Sequence, residues 1–551
     1  MGLKLKSNKI KWIFVSGGVL SGLGKGVVSA SIGRILKDYK KRIVQVKCDG
    51  YLNIDPGTMN PIEHGEVFVL DDGGEVDLDF GHYERFNNIT CKFNWNLTSG
   101  KIFKSVIDKE RKGDYLGKTV QMIPHVTDEI KDKWKNIAKK EDADIMIVEL
   151  GGTAGDIEMS LFFEAARQIA LDFDEKDTAF IHLTYVPELD CVGEQKSKPT
   201  QQSTKILQEI GIQPDFIIGR SQRILDESIK RKIALFSNLR KEKILSNPNL
   251  MSVYELPLIF EKENFSKNLS DKMGIKIKPN LKEWSKLVRS IINPKKEIVI
   301  AVCGKYTKLQ DSYISIKEAL VHASAHLNSQ VRIKWVETTD ISSDTDMEKV
   351  LESVDGIIIP GGFGNRGTEG KIEIIRYARE KKLPFLGICL GLQLAVIEYA
   401  RNVCNIKGAT SAEFNARSNS KVIDIMEDQK NIKDMGGTMR LGSYPANILK
   451  DSLVYSLYKK DKVSERHRHR FEVNPKYHPI LKNHGLIFSG MSPDKRLVEF
   501  IELKDHPYFV ATQAHPELKS TLEKPAPLFL GLVKAALKKR SRINNFSSDA
   551  S

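Results

Sequence analysis

Short apolar runs alternate with amphipathic stretches along most of the chain. The runs are rich in β-branched residues and lie at 12–16, 43–46, 145–150, 216–218, 298–302, 357–359 and 385–388. Strands of a parallel sheet show this pattern because helices cover both of their faces. The alternation therefore predicts an α/β fold with two doubly wound parallel-sheet domains.

The alternation breaks between about residues 262 and 297, where Lys, Asn and Pro accumulate. A new apolar run, EIVIAVCG, starts directly afterwards at Glu297. Linkers between domains have this polar, proline-containing character. We therefore expect a first domain over 1–265, a linker over 266–297, a second domain over 298–540 and a flexible tail over 541–551.

Composition indicates the compartment of the protein, but it does not identify the function. No run of about 18 apolar residues occurs, so we expect no membrane span, and the start lacks an apolar leader. The six cysteines contain no C-x-x-C pair, which is typical of a reduced, cytoplasmic compartment. The net charge of +14 suits either a Lys-rich surface or anionic ligands such as nucleoside triphosphates, and composition does not separate the two.

The first motif, SGGVLSGLGKG, joins a predicted strand to a predicted helix. Glycines let backbone N–H groups approach phosphate oxygens, and the helix N-terminus adds partial positive charge. Lys25 would reach the outer phosphates. The loop departs from G-x-x-x-x-G-K-[ST], because it is one residue longer and Gly26 replaces the hydroxyl residue that usually holds magnesium. A Gly-rich turn beside a surface lysine is the alternative.

The missing hydroxyl predicts that carboxylates elsewhere hold the metal. Glu149 ends a buried run, and ligands bind at the carboxyl ends of parallel strands. Asp79 lies two residues after Asp77, so the two would share a face on an extended chain. We assign Asp71 and Asp72 to turns or helix caps instead.

Another motif, KSKPTQ, places Lys196 and Lys198 beside a proline that stiffens the loop. This arrangement suits a grip on a second triphosphate. Exposed lysines are common, so the motif alone is weak.

In the second half, Cys389 lies between Gly387 and Gly391, where an apolar run turns into a helical pattern. A nucleophile on such an elbow is presented at the top of a sheet. His515 would accept the thiol proton and Glu517 would orient the imidazole. A buried structural cysteine and an unrelated surface histidine are the alternatives.

Two further stretches accompany this motif. The glycines of IIIPGGFGNRG follow a buried run, so their N–H groups would form an oxyanion hole. The run ERHRHR suggests a basic patch, but on a strand its arginines and histidines would point to opposite faces. No aromatic residues are interleaved with it, so we do not expect nucleic-acid binding.

The first half resembles the synthetase domain of the CTP synthase family, and the second half resembles class I glutamine amidotransferases. The matching stretches are SGGVLSGLGKG, NIDPGTMNPIEHGEVFVLDDGGEVDLDFGHYERF, RKGDYLGKTVQMIPHVTDEI, ELGGTAGDIE, GEQKSKPTQQS, PGGFG, GICLGLQ, GGTMRLG, ERHRHRFEVN and QAHPE. The family implies a P-loop-like synthetase domain joined to a glutaminase domain. Two places depart from the family pattern: Gly50 follows Lys47-Cys48-Asp49, and MSLFF follows Glu158.

The resemblance implies a role for each matched position. ATP would bind at Ser21, Gly22, Leu23, Gly24, Lys25, Gly26 and Lys47. Mg²⁺ would bind at Asp79 and Glu149. UTP or CTP would bind at Asp156, Ile157, Glu158, Lys196, Lys198, Gln201 and Lys232. Glutamine would bind at Gly362, Gln393, Glu413 and Arg470. The catalytic triad would be Cys389, His515 and Glu517.

The family's activity is the ATP-dependent amination of UTP to CTP, a ligase reaction of pyrimidine biosynthesis. It implies a glutamyl-cysteine thioester, a 4-phosphorylated UTP and ammonia that travels inside the protein. It also implies GTP as an allosteric activator near Arg366, a homotetramer and assembly into filaments. Two alternatives stay open: a glutamine-dependent ligase with another acceptor, and a non-catalytic filament protein. The KSKPTQ segment argues against the first, and the complete set of reactive residues argues against the second.

Overall fold

A computed structural model describes residues 10–39, 42–59, 65–189, 193–305, 310–342, 344–426 and 439–548. The chain divides into two compact units. Unit 1 comprises residues 1–56 and 79–288, and unit 2 comprises residues 57–78 and 289–551.

The strands in the described ranges are β1 (Lys11–Gly17), β2 (Ile43–Asp49), β3 (Phe68–Val69), β4 (Glu75–Val76), β5 (Asn96–Thr98), β6 (Ile145–Leu150), β7 (Thr178–Tyr185), β8 (Glu188–Leu189), β9 (Glu194–Gln195), β10 (Phe216–Arg220), β11 (Ile244–Asn247), β12 (Glu297–Gly304), β13 (Gln330–Glu337), β14 (Gly356–Ile359), β15 (Phe385–Ile388), β16 (Thr410–Ser411), β17 (Lys421–Ile425), β18 (Arg440–Ile448), β19 (Lys462–His469), β20 (Phe471–Val473), β21 (Ile487–Met491), β22 (Val498–Glu502) and β23 (Phe509–Thr512).

The α-helices in the same ranges are α1 (Lys25–Leu36), α2 (Asp79–Asn87), α3 (Ser99–Arg111), α4 (Thr127–Lys140), α5 (Ser160–Asp172), α6 (Lys198–Glu209), α7 (Glu227–Phe236), α8 (Leu256–Lys262), α9 (Phe265–Met273), α10 (Lys282–Ile292), α11 (Ile314–His326), α12 (Met347–Val350), α13 (Thr368–Glu380), α14 (Leu390–Asn402), α15 (Leu453–Tyr458), α16 (His478–Asn483) and α17 (Pro527–Ser548). None of these described helices combines the length and the apolar character needed to cross a lipid bilayer.

Unit 1 is built on a parallel sheet, with its described strands in the order β11-β10-β7-β1-β6-β2-β5. Ile13 and Val15 of β1 belong to a buried cluster with residues of α1. Trp12 and Phe14 are fully buried as well, and Phe14 packs against Trp134 of α4. Both faces of the strand are therefore covered, as the apolar run 12–16 predicted.

Unit 2 contains a mixed sheet in the order β13-β12-β14-β15-β23-β22-β21-β18-β19. The strands from β13 to β23 are parallel, and the remaining four are antiparallel. The predicted α/β class is confirmed, but the second sheet is not parallel throughout. Strands β21, β22 and β23 follow one another through connections too short for a helical crossover, which forces antiparallel pairing.

The compact units differ from the predicted domain limits in three places. The predicted linker contains α9 and α10, and Phe265, Leu269 and Met273 are buried in the core of unit 1. The segment 65–78 forms the hairpin β3–β4 and belongs to unit 2. Helix α17 continues to Ser548, through most of the predicted flexible tail.

Candidate active sites

The predicted phosphate loop connects β1 to α1 in unit 1. Gly22 and Gly24 have φ values of 77° and 93°, which favour glycine. Lys25 is the first residue of α1, and its Nζ donates to the carbonyl of Gly152 at 2.6 Å. Burial, reinforced by the charge of Lys47, lowers the pKa of Lys25. The loop therefore combines a glycine turn, a helix N-terminus and a lysine, which are the features of a phosphate-binding site.

Lys47 lies at the centre of a charged cluster at the carboxyl ends of β2 and β6. These strands pair so that Lys47 stands directly beside Glu149. The Lys47 ammonium donates to Asp79 and, at 3.1 Å, to Glu149 Oε1. The Tyr83 hydroxyl donates to the other oxygen of Glu149 at 2.5 Å. The structure thus brings together the predicted lysine and both predicted carboxylates.

Gly26 explains why this loop lacks the usual hydroxyl residue. A Cβ atom at position 26 would lie 1.9 Å from Asp79 Oδ1, so the carboxylate occupies the space of a side chain there. Asp79 starts α2, whereas β4 already ends at Val76. The predicted common face of Asp77 and Asp79 on an extended chain was therefore wrong. Asp77 instead accepts a hydrogen bond from the N–H of Leu78 at 2.7 Å.

The cluster suits a hard divalent cation. Burial alone would raise the pKa of Asp79, but Lys47 and His82 outweigh it, so the net pKa is lowered and the carboxylate stays charged. Within the described ranges, no three His, Cys, Asp or Glu side chains are grouped as a complete metal site. Mg²⁺ commonly takes one or two carboxylates and completes its shell with phosphate oxygens and water. Asp79 and Glu149 fit that role.

Asp49 belongs to the same cluster and was missed by the sequence analysis. Its Oδ1 lies 3.6 Å from Lys47 Nζ, and its buried Oδ2 has no hydrogen-bond partner in the described part of the chain. Burial raises the pKa of Asp49 to about 6. Its position two residues after Lys47 on β2, which puts both side chains on one face, was the available signal.

A cavity of about 640 Å³ lies beside the start of α6. Its lining includes all four residues predicted to grip a second triphosphate, Lys196, Lys198, Gln201 and Lys232. Lys196 pairs with Glu194 at 2.7 Å. The cavity therefore offers three cations and an amide to one anionic ligand.

The predicted pyrimidine turn, 156–158, is not in the described lining of this cavity. Asp156 accepts a hydrogen bond from the N–H of Thr153 at 2.6 Å, and Ile157 is 88% exposed. A Cβ at position 50 would lie 2.6 Å from Glu158 Cγ and 3.1 Å from Met159 Sδ. The two departures from the family pattern are thus in contact, because glycine at 50 leaves room for Glu158 and Met159.

In unit 2, Cys389 occupies the sharp turn between β15 and α14. Its φ of 53° and ψ of −103° are unusual for a residue with a side chain. A Cβ on Gly391 would lie 2.3 Å from the carbonyl oxygen of Ile359, so the turn requires glycine there. The side chain is almost fully buried. This is the predicted nucleophile elbow.

His515 follows β23, the strand next to β15, so both reactive side chains stand at neighbouring strand ends. Its Nδ1 lies 2.7 Å from Glu517 Oε1, and its backbone N–H donates to the Arg466 carbonyl at 2.7 Å. Burial would lower the pKa of His515, but the charges of Glu517 and Cys389 outweigh it and raise the pKa to about 10. The imidazole is therefore suited to hold a proton taken from the thiol.

Cys389, His515 and Glu517 line one cavity of about 320 Å³. Gly361 and Gly362 of the predicted oxyanion loop line it as well. A Cβ on Gly361 would lie 2.8 Å from His515 Cε1 and 3.6 Å from Cys389 Cβ. The loop backbone thus reaches the place where an oxyanion would develop.

The predicted glutamine-binding residues are only partly gathered at this cavity. Gly362 lines it, whereas Gln393, Glu413 and Arg470 are not in its described lining. Gln393 donates to the Phe471 carbonyl at 3.0 Å, behind the nucleophile. Glu413 accepts a hydrogen bond from the N–H of Gly364 at 2.6 Å, which ties down the oxyanion loop.

Several groups at the thiol were missed. Gln513 Nε2 lies 3.7 Å from Cys389 Sγ, and the thiol lies 3.8 Å from the Arg468 carbonyl oxygen. Glu66, from the segment 65–78, lines the cavity and accepts hydrogen bonds from Ser315. Gln513 directly precedes AHPE in the sequence, so its position two residues before His515 could have predicted that it lies near the thiol. The backbone carbonyl and Glu66 left no such signal.

The run ERHRHR lies on β19, and its predicted alternation is confirmed. The His467 and His469 rings lie side by side with their nitrogens 2.9 Å apart. Arg466 pairs with Asp71 at 2.5 Å and Arg468 pairs with Glu75 at 2.8 Å. The arginines of this strand therefore bind the hairpin of unit 2. Asp71, which we assigned to a turn or a helix cap, serves this ion pair.

These two sites define the class of the protein. A Cys–His–Glu triad on an α/β unit, in one chain with an α/β unit that carries a phosphate loop, is the layout of a glutamine-dependent amidotransferase ligase. Two family models match: CTP synthase N-terminus over residues 11–275 and glutamine amidotransferase class-I over residues 308–535. The chain belongs to the CTP synthase family, and it catalyses the glutamine-dependent conversion of UTP to CTP.

Relatives match along nearly the whole chain. A CTP synthase of Pyrococcus furiosus is 54% identical over 528 residues, which cover 96% of this chain and 98% of that protein. A CTP synthase of Borreliella burgdorferi is 52% identical over 540 residues, covering 97% of this chain and 100% of that protein. Among solved structures, the glutaminase domain of Trypanosoma brucei CTPS with bound acivicin is 38% identical, covers 44% of this chain and 94% of that one, and has a TM-score of 0.42.

Proposed function

We propose that unit 1 activates UTP with ATP and that unit 2 supplies the ammonia. In unit 2 the Cys389 sulfur attacks the side-chain carbonyl carbon of glutamine. The developing oxyanion is stabilised by N–H groups at Gly361, Gly362 and Phe363. The proton held by His515 passes to the leaving nitrogen, ammonia departs and a glutamyl thioester remains. Water then attacks this thioester, with His515 as base, and releases glutamate.

In unit 1 the terminal phosphoryl group of ATP moves to the 4-oxygen of UTP. Lys25 and Lys47 neutralise the phosphate charge, and the 18–24 loop holds the phosphates through its N–H groups. Asp79 and Glu149 would hold Mg²⁺, which supplies further charge neutralisation to the phosphates. Ammonia then attacks carbon 4 and expels phosphate, which is a far better leaving group than the original oxygen.

The UTP triphosphate would bind in the 640 Å³ cavity, and the 156–158 turn would contact the pyrimidine. The observation that carries the whole proposal is the cluster around Lys47. In this cluster one buried ammonium is shared by two carboxylates beside Lys25 and a glycine-rich loop. It is explained by a metal-bound triphosphate.

The experiment that tests this proposal follows the cytosine absorbance change. The protein is incubated with UTP, ATP, Mg²⁺ and glutamine, and other acceptors replace UTP in parallel reactions. CTP should form only with UTP, and omission of ATP or Mg²⁺ should stop it. Consumption of ATP and glutamine with another acceptor, while UTP is untouched, would contradict the proposal.

The proposal also covers the regulation, the cellular compartment and the assembly of the enzyme. GTP would activate the enzyme near Arg366, and the chain would form a cytoplasmic homotetramer that also stacks into filaments. Exposed apolar side chains support assembly, since Leu116 is 89% exposed and Ile123 is 52% exposed. Sedimentation with and without nucleotides tests the assembly.

A further inference from the structure

Three buried polar side chains form a chain of hydrogen bonds inside unit 1. Ser16 on β1 and His182 on β7 are register partners in the parallel sheet. Ser16 Oγ lies 2.9 Å from His182 Nδ1, and His182 Nε2 lies 2.8 Å from Ser203 Oγ on α6. All three residues are at most 4% exposed. The end of β1, where the phosphate loop begins, is thereby connected through β7 to helix α6.

The phosphate loop contacts these hydrogen-bonded side chains directly at Gly18. The Gly18 N–H donates to the Leu183 carbonyl at 2.9 Å. A Cβ at position 18 would lie 1.6 Å from Ser203 Oγ and 3.0 Å from His182 Nε2. The loop backbone and α6 therefore approach so closely that only glycine fits between them.

Helix α6 leads from this contact to the second ligand cavity. Lys198 is its first residue, and Lys198 and Gln201 line the 640 Å³ cavity. Movement of the helix would therefore move the residues that grip UTP. A second tie holds the same helix to β7 without touching the loop, because Thr184 Oγ1 lies 3.0 Å from Thr200 Oγ1.

The hydrogen-bond chemistry of His182 suits a fixed connector. Burial, with the positive charge of Lys25, lowers the pKa of His182 to about 3, so the ring is neutral at physiological pH. A neutral imidazole donates at one nitrogen and accepts at the other. One serine hydroxyl therefore donates to the ring while the other accepts from it, and both nitrogens are satisfied.

We infer that His182 is a positioning residue that locks the phosphate loop against α6, so that the binding of ATP and the binding of UTP strengthen each other. This inference rests on the proposed function of the two sites. ATP binds the loop, the loop packs at Gly18 against Ser203 and His182, and α6 then holds Lys198 and Gln201 where the UTP triphosphate binds. The coupling is reciprocal by thermodynamic necessity.

The test measures the dissociation constant of UTP with and without the Mg²⁺ complex of a non-hydrolysable ATP analogue. In the unaltered protein we expect the analogue to tighten UTP binding at least about fivefold, the lower end of usual coupling between sites. Two substitutions separate the two bonds of the ring. His182→Gln places its amide near the former Nε2 and retains the bond to Ser203, whereas His182→Asn places it near Nδ1 and loses that bond.

We expect His182→Gln to keep most of the coupling and His182→Asn and Ser203→Ala to lose it. With ammonia as nitrogen source, the kcat of the last two variants should fall about tenfold or more, since misaligned reactants react slowly. Glutaminase activity should stay unchanged in all three. The matched control is Thr184→Val, which removes the second tie but leaves Thr200 bonded to the Tyr185 carbonyl at 3.2 Å. It should keep the coupling.

Full coupling in His182→Asn and Ser203→Ala, together with lowered melting temperatures, would reveal a purely structural role and overturn the inference. The same holds if the unaltered protein shows no coupling. Failure of the proposed function looks different: Lys25→Ala would then bind the ATP analogue as tightly as the unaltered protein.

Discussion

Cys389 holds a backbone conformation that residues with side chains rarely adopt. Strain of this kind costs about 1–3 kcal/mol and persists only where the surroundings enforce it. Here the Cys389 N–H donates to the Thr512 carbonyl at 2.7 Å, which ties the elbow to the strand that leads to His515. The strain is therefore used to aim the sulfur at its base.

The charge of Glu517 should set the alkaline limit of glutamine hydrolysis. The His515 pKa is raised to about 10 although burial opposes it, because Glu517 and Cys389 favour the charged ring. In Glu517→Gln the burial effect remains and the carboxylate charge is lost, so the pKa falls. The ring then loses its proton at lower pH, and the alkaline limb of kcat for glutamine hydrolysis should shift downwards.

The same substitution should lower kcat by about 10²- to 10⁴-fold, the usual contribution of acid–base catalysis. The pH profile of glutamate release measures both effects. Ammonia-dependent CTP synthesis is the internal control and should not change. An unshifted alkaline limb would show that Glu517 does not tune the imidazole.

Gly26 should be required for the synthetase reaction alone. In Gly26→Ala the new Cβ would collide with Asp79 Oδ1, so the carboxylate must leave Lys47. A displacement of about 1 Å can cost a hundredfold in rate, and we expect a loss of that order in ammonia-dependent CTP synthesis. Ser29→Ala on the same helix is the control, because the buried Ser29 hydroxyl has no partner in the described structure. Equal rates of ammonia-dependent CTP synthesis in both variants would contradict the predicted collision with Asp79.

At the scale of elements, strand β19 supports both reactive groups of unit 2. The Arg468 carbonyl faces the Cys389 thiol, and the Arg466 carbonyl accepts from the His515 N–H. The neighbouring strand β18 carries Arg440, which bridges Glu472 at 2.9 Å and Glu499 at 2.7 Å in a buried network. Arg440 is the register partner of His469 on β19, so this ionic network anchors the strand that pairs with β19.

Arg440→Met should destabilise unit 2 by about 3–5 kcal/mol, because it leaves two buried carboxylates without their cation. Thermal unfolding and glutaminase activity measure the effect, and the melting temperature should fall together with activity. Arg111→Met is the control, since Arg111 and Glu110 form an exposed pair that should matter little. Equal melting temperatures for the two variants would show that the buried network does not stabilise unit 2 more than an exposed ion pair does.

The sequence predicted elements well where burial on both faces makes the apolar pattern continuous, as in β1, β6 and β15. The three residues that it predicted as a triad also line one cavity, because turns at strand ends have characteristic glycines. It did not predict which distant groups meet. The contact of Gly26 with Asp79 and the place of Gln513 at the thiol depend on how loops close over long separations, and no local pattern encodes that.

At the scale of the whole molecule, the family boundary and the compact units do not coincide. The segment 65–78 lies within the stretch matched by the CTP synthase N-terminus model, yet it folds with unit 2 and brings Glu66 to the glutaminase cavity. The same segment runs directly into Asp79, the first residue of α2 in unit 1. One continuous stretch of chain therefore contributes residues to both units.

Two substitutions should separate the chemistries that the chain combines. Cys389→Ala removes the nucleophile, so glutamine-dependent synthesis should fall to background while ammonia-dependent synthesis continues. Lys25→Ala removes a phosphate contact, so synthesis should fail with either nitrogen source while glutamine is still hydrolysed.

A mixture of the two variants with glutamine tests how the nitrogen travels. Ammonia released into water at neutral pH is mostly protonated and no longer nucleophilic, so the mixture should make far less CTP than the unaltered protein at equal glutamine hydrolysis. Raising the pH increases the unprotonated fraction and should narrow the difference. If the mixture matches the unaltered protein at neutral pH, ammonia passes through the solvent, and the joining of both units in one chain must serve another purpose.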